Sequence, residues 1–146
     1  MQFSVQVRGD EAAARRLDKL GNNAERARPV LTKLVGEILA IQEVRFQRNQ
    51  GMKATKASTK ATDRRQNRDL KPLRSTGALK DSVTRVGGPN QTLVIDNNSL
   101  KIGTTLSYAR FHQYGIGVPK RKVINLTPRQ RKDLSETILN YIVDDE

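Results

Sequence analysis

The sequence predicts an α+β fold. A small antiparallel sheet of three to four strands packs with one long helix and a C-terminal helix, and a long basic loop or arm interrupts the chain. Three observations predict it. Apolar residues recur at three- and four-residue steps over 30–44, the period of a helix with one buried face. Short apolar runs alternate with Gly- and Asn-rich turns after residue 86, the pattern of hairpins. Between these regions, residues 47–71 hold only Met52 and Leu70 as large apolar side chains, too few to build a buried face.

The elements follow in order. Phe3, Val5 and Val7 alternate with Gln2, Ser4, Gln6 and Arg8, as in a half-buried strand. Asp10 is placed to cap a helix over 11–20, with Ala13, Leu17 and Leu20 inward and Gly21 as its stop. A second helix starts near Asn23, carries Pro29 in its first turns, turns Val30, Leu31, Leu34, Val35, Ile38, Ile41 and Val44 inward, and fades near Arg48. After the arm, residues 75–82 read as a short helix capped by Ser75 or Thr76. Val83 and Val86 lead into the turn Gly87-Gly88-Pro89-Asn90. Strands at 92–95 and 100–103 flank Asn97-Asn98, and a helix at 108–114 stops at Gly115. Residues 123–126 suggest a further strand. Thr127 then caps a final helix with Pro128 at its first position and Leu134, Ile138, Leu139 and Ile142 inward.

The chain has 146 residues, which suits a single domain spanning 1–146, with 47–71 as a basic flexible insertion. It contains no Cys, so disulfides, thiolate metal sites and cysteine nucleophiles are excluded. One His excludes a multi-histidine metal centre. No apolar run is long enough to span a membrane, and the first residues lack the pattern of a signal peptide. No cofactor is expected.

The formal net charge is +12, from 27 Lys+Arg and 15 Asp+Glu. It is unevenly spread: residues 1–44 carry +1, residues 45–74 carry +8 and residues 75–146 carry +3. The central excess comes largely from Lys53, Lys56, Lys60, Arg64, Arg65 and Arg68, opposed by Asp63 and Asp69. These six cations are the candidate contacts to DNA or to an acidic partner, with Arg64, Arg65 and Arg68 foremost. Lys120, Arg121 and Lys122, followed by Arg129, Arg131 and Lys132, form a second basic cluster, whose ordinary reading is a solvated surface. The arm has no aromatic side chain to stack on bases, which leaves phosphate contact as its nucleic-acid mode.

Catalytic constellations are missing from the pattern. His112 lies between aromatic residues, where a single His is ordinarily packed and hydrogen-bonded, and sequence alone gives it no nucleophile or carboxylate partner. Neither Gly87-Gly88 nor Gly115-Ile116-Gly117 has the spacing of a phosphate-binding loop. The acidic end, Asp144-Asp145-Glu146, reads as a solvated tail.

Two blocks carry a family resemblance. Leu73-Arg74-Ser75-Thr76-Gly77-Ala78-Leu79-Lys80-Asp81-Ser82-Val83 resembles the Leu-Arg-x-Thr-Gly-x-Leu-x-x-Ser-Ile/Val signature of the phage virion morphogenesis family. Ile102-Gly103-Thr104, continued by Tyr108-Ala109-Arg110-Phe111-His112-Gln113-Tyr114-Gly115, resembles that family's second block. Downstream, Pro119 and Arg121 match a further segment, whose second Pro and Phe are missing here. The resemblance implies a non-enzymatic tail completion or neck protein, assembled in the host cytoplasm into a ring, most often a hexamer, around the DNA channel. Its implied partners are further copies of itself, the head connector, the tail tube or tail terminator, and packaged DNA.

The shared residues suit structural roles. Thr76 and Gly77 would make a cap and a tight turn into the helix, with Leu79 in the core. Gly103 would permit a bend or a close backbone approach at a strand end. Tyr108, Phe111 and Tyr114 would supply aromatic core area, beside Ala109, and Gly115 would stop the helix. His112 and Gln113 would latch that helix to the sheet or to a neighbouring subunit.

Overall fold

The computed structural model describes residues 10–143. The expected strand over Phe3–Val7 and the acidic end lie outside them, as does the side chain of Asp10. The elements run α1 (Asp10–Glu25), α2 (Arg28–Arg48), α3 (Ala57–Arg65), α4 (Ala78–Thr84), β1 (Gln91–Ile95), β2 (Leu100–Thr104), α5 (Ala109–Tyr114) and α6 (Pro128–Val143). The class is α+β and mostly helical.

Helix α2 is the spine. Its 21 residues give it a length of about 31 Å. Val30, Leu31 and Leu34 in its first half form a buried cluster with Ala27 and Leu134 of α6, against which Ile95, Leu100, Leu126 and Tyr141 pack. Phe46 at its far end joins Leu79, Val83, Ala109 and Val123 in a second cluster. The buried stripe passes through Leu39, Gln42 and Arg45 rather than Ile41 and Val44, and Val44 is exposed. The sequence reading followed apolar residues only; the face itself continues through two polar ones. Lys80 of α4 bonds to Glu43 of α2 at 2.9 Å, tying those helices together.

Helix α1 runs past Gly21 to Glu25. A glycine costs about 1 kcal/mol in a helix interior, and local tertiary contacts offset it. Asn23 Nδ2 donates to the Ile142 carbonyl at 3.1 Å, and the Tyr141 hydroxyl donates to the Arg26 carbonyl at 3.2 Å. Both hold the end of α1 on α6. Helix α6 opens as expected: the Gln130 amide donates to Thr127 Oγ1 at 3.2 Å, and the Thr127 amide donates to Gln130 Oε1 at 2.8 Å, a reciprocal capping box. Leu139, expected inward, is 57% exposed, and Tyr141 packs on the core in its stead.

Among the described residues the sheet has two antiparallel strands, with Leu93 opposite Ile102 and Thr92 opposite Gly103. The strand expected at 123–126 is absent. That stretch is buried at Val123, but its backbone bonds to side chains. The Val123 and Ile124 amides donate to Gln113 Oε1 at 2.7 and 3.1 Å, and Gln113 Nε2 donates to the Ile124 carbonyl at 3.0 Å. Gln42 Nε2 donates to the Asn125 carbonyl at 3.0 Å and Gln42 Oε1 accepts from the Asn125 amide at 3.1 Å. Arg45 donates to the carbonyls of Lys122 at 2.8 Å and Val123 at 3.3 Å. Three side chains do what a neighbouring strand would do.

Helix α4 begins at Gly77, whose φ of 80° is the left-handed region that glycine favours; neither Ser75 nor Thr76 caps it. Gly115, at φ 76°, ends α5 as expected, and a Cβ there would lie 3.0 Å from Lys120 Cβ. Gly103 does not make the close approach expected of it: an added Cβ would meet Thr92 at an ordinary 3.8 Å. The aromatic residues of α5 are peripheral too. Tyr114 is 70% exposed and Tyr108 is exposed, whereas Phe46 is fully buried.

Replacing Gln113 by Leu strands two part-buried amides and one carbonyl. Each unmet group costs about 1–3 kcal/mol, so Gln113→Leu should lose at least about 2 kcal/mol in urea unfolding. A loss under about 0.5 kcal/mol would show that the glutamine does not hold this segment.

Candidate functional site

The basic segment expected as a loop carries α3, and one side of that helix is engaged. Asp63 is buried and accepts from Ser75 Oγ at 2.7 Å. Helix α3 ends in a Schellman turn: the Arg68 amide donates to the Asp63 carbonyl at 2.8 Å, and the Asn67 amide donates to the Arg64 carbonyl at 3.2 Å. Asn67, at φ 53°, supplies the left-handed residue. The composition held a signal for this helix, since Ala57, Lys60, Ala61, Arg64 and Arg65 are good helix formers.

The far side of α3 faces solvent. Lys53, Lys56, Arg64, Arg65 and Arg68 are exposed and Lys60 is half-buried. Among the described residues, none of the six is in an ion pair. Arg64 and Arg65 occupy the last turn of α3, where the helix dipole favours cations. The structure therefore puts Arg64, Arg65 and Arg68 on one short, closed helix end.

The second basic cluster divides. Lys120 and Lys122 are exposed. Arg121 is buried, and its Nε and Nη2 donate to the carbonyls of Lys53 at 2.8 Å and Ala54 at 3.0 Å. Its amide donates to the His112 carbonyl at 2.8 Å. Arg121 thus fastens the start of the arm to α5 and leaves the cationic surface. Sequence reading had grouped it with its neighbours because a charge run does not show which member turns inward.

A cavity of about 570 Å³ lies between α3, residues 71–76, α5 and residues 117–121. Thr76, Leu79, Tyr108 and His112 of the two family blocks line it. Burial pushes the Tyr108 phenol up. Burial first, and the Arg121 charge second, hold the His112 imidazole below its ordinary value of 6.5. His112 Nδ1 is buried with no hydrogen-bond partner among the described residues. Asp63 and Ser75 line the same space, yet they bond directly to each other. A Ser-His-Asp relay needs the imidazole between them, and no hydrogen bond joins the His112 ring to either. Of the pair expected to latch α5, Gln113 does so, onto residues 123–124 rather than the sheet. The described residues include no cluster of His, Cys, Asp or Glu that would hold a metal ion.

A sequence profile of the phage virion morphogenesis family matches residues 9–143. No curated protein and no solved structure matches the chain.

Two measurements follow from this geometry. Arg121→Met releases the arm from its anchor, and limited trypsin digestion should then cut at Lys53 and Lys56 several-fold faster than in wild type; unchanged cleavage would mean that the arm is held elsewhere. The His112 shift has a definite sign. Because the folded form binds the proton less well than the unfolded chain, wild type should lose stability as pH falls through 6.5. In His112→Gln that component of the pH dependence of unfolding should be absent, and an identical dependence would remove it from His112.

Proposed function

The chain belongs to the phage virion morphogenesis family, and from that membership we propose that it completes the tail or neck of a tailed phage and joins tail to head. It acts as a non-catalytic ring of identical copies, a hexamer, around the DNA channel, between the head connector and the tail tube or tail terminator. The family match over nearly the whole chain carries this reading. The solvated arginines on α3 support it in a specific way. They form a charged surface on a helix whose other side is fixed by Asp63 and Ser75, so the surface is presented before any partner arrives. Docking then needs little further ordering, which lowers its entropic cost.

A second reading rests on the same surface: the exposed, unpaired cations bind nucleic acid phosphates without sequence preference. The two readings part in the free protein. If phosphate contact dominates, binding to duplex DNA weakens with salt at a slope of about −0.9 per phosphate engaged, and removing three cations flattens it by about 3.

The test is the triple variant Arg64→Gln, Arg65→Gln, Arg68→Gln, supplied to a phage that lacks the gene. Without the gene, unjoined heads and tails should accumulate; complete particles would refute the joining role. With the triple variant the yield of infectious particles should fall about tenfold, as expected for three exposed charges at about 0.5 kcal/mol each. A normal yield would remove these arginines from docking.

A further inference from the structure

The cavity beneath α3 differs in chemistry from the arginine surface above it. Lys56, Lys71 and Arg121 line it, against one carboxylate, Asp63. That carboxylate already holds the Ser75 hydroxyl at 2.7 Å. None of the three cations is ion-paired among the described residues. Arg121 is buried and its side chain meets only backbone carbonyls, which satisfy its N–H groups but do not neutralise its charge. A recess with two surplus positive charges and partly apolar walls attracts an anion and strengthens its binding, because field lines concentrate where water is partly excluded. His112 also lines the recess, and its buried Nδ1 has no hydrogen-bond partner among the described residues.

We propose that this cavity receives a carboxylate side chain presented on an extended segment of a partner protein. Its volume of about 570 Å³ falls in the range of pockets that enclose a small ligand or a few side chains. The walls at Leu73, Leu79, Val118 and Pro119 suit the methylenes and apolar neighbours of an acidic side chain. A duplex fits poorly, since its phosphates lie on a convex surface and cannot descend into an apolar-walled recess. The three arginines foremost as duplex contacts, Arg64, Arg65 and Arg68, are not among the cavity's walls, although the exposed Lys56 is. The proposal therefore holds whichever surface those arginines meet.

The chain's one His makes the test direct, because its imidazole signals in an NMR spectrum belong to His112 alone. The probe is the blocked peptide acetyl-Leu-Asp-Glu-Leu-amide, titrated at low salt into the full chain. Its isosteric control replaces Asp and Glu by Asn and Gln. The acidic peptide should shift the His112 signals saturably and the control should not. Lys56→Gln and Lys71→Gln, each with an otherwise unchanged amide spectrum, should weaken binding about fivefold. No shift, equal shifts from both peptides, or wild-type affinity in both variants would overturn the proposal. So would inorganic phosphate binding as tightly as the peptide, which would mark a simple oxyanion site, or a duplex DNA shifting the signals where the peptide does not.

Discussion

The structure depends on how residues 121–125 are held. This stretch runs between α5 and α6 and places Val123 in the core beside Phe46, so its backbone groups are partly withdrawn from water. A buried amide or carbonyl without a partner costs about 1–3 kcal/mol. Among the described residues no strand pairs with it. Gln113 reaches from α5, and Gln42 and Arg45 reach from α2, and together they meet residues 122–125. A primary amide carries a donor and an acceptor side by side, as a strand edge does, and each glutamine pairs with the backbone in that manner. The geometry fixes the distance between α2 and α5, and with it one wall of the cavity.

The same constraint explains two buried guanidinium groups that have no carboxylate partner among the described residues. Arg45 donates to Gln42 Oε1 at 2.6 Å and to two carbonyls, and burial lowers its pKa. Arg121 donates to two carbonyls of the arm. Carbonyls answer the hydrogen-bonding demand of guanidinium but not its charge. A charge so placed favours one arrangement of the loops around it, because displacing either loop strands several donors at once. Two of the chain's cations are thus structural, and the net charge overstates what is offered to a partner. Within the arm, Arg64, Arg65 and Arg68 remain exposed together at the end of α3.

What was legible in the sequence was what is local. The capping box at Thr127 and Gln130, the hairpin around Asn97-Asn98 and the stop at Gly115 each rest on residues close in sequence, and all three stand in the structure. The failures share a cause. The stretch 123–126 was misread as a strand because its partners are side chains about 10 and 80 residues away. Gly21 was read as a stop because the contacts that carry α1 past it come from α6. The arm was read as a loop because it lacks an apolar face, although its alanines and long basic residues favour a helix; it is anchored by a buried aspartate and by Arg121. Gln42 and Arg45 were another missed signal within reach. They continue the stripe of Leu34, Val35, Ile38 and Leu39 at helical spacing, and a polar residue on a buried face implies a polar partner.

The two family blocks gain a physical meaning from this arrangement. Leu79 and Val83 of the first and Ala109 of the second meet in one cluster with Phe46. Ser82 of the first donates to Thr104 of the second at 2.9 Å. Ser75 holds α3, while Gln113 holds the segment that carries Arg121, which in turn holds the base of the arm. Read in sequence, the motif residues suit structural roles in two blocks some thirty positions apart. In three dimensions most of them are connectors, and they converge on the placement of α3. Of the polar residues of the motif without such a task, Thr76, Tyr108 and His112 line the cavity beneath that helix, while Tyr114 is exposed away from it. The same motif that places α3 therefore also supplies Thr76, Tyr108 and His112 to the recess that the helix covers.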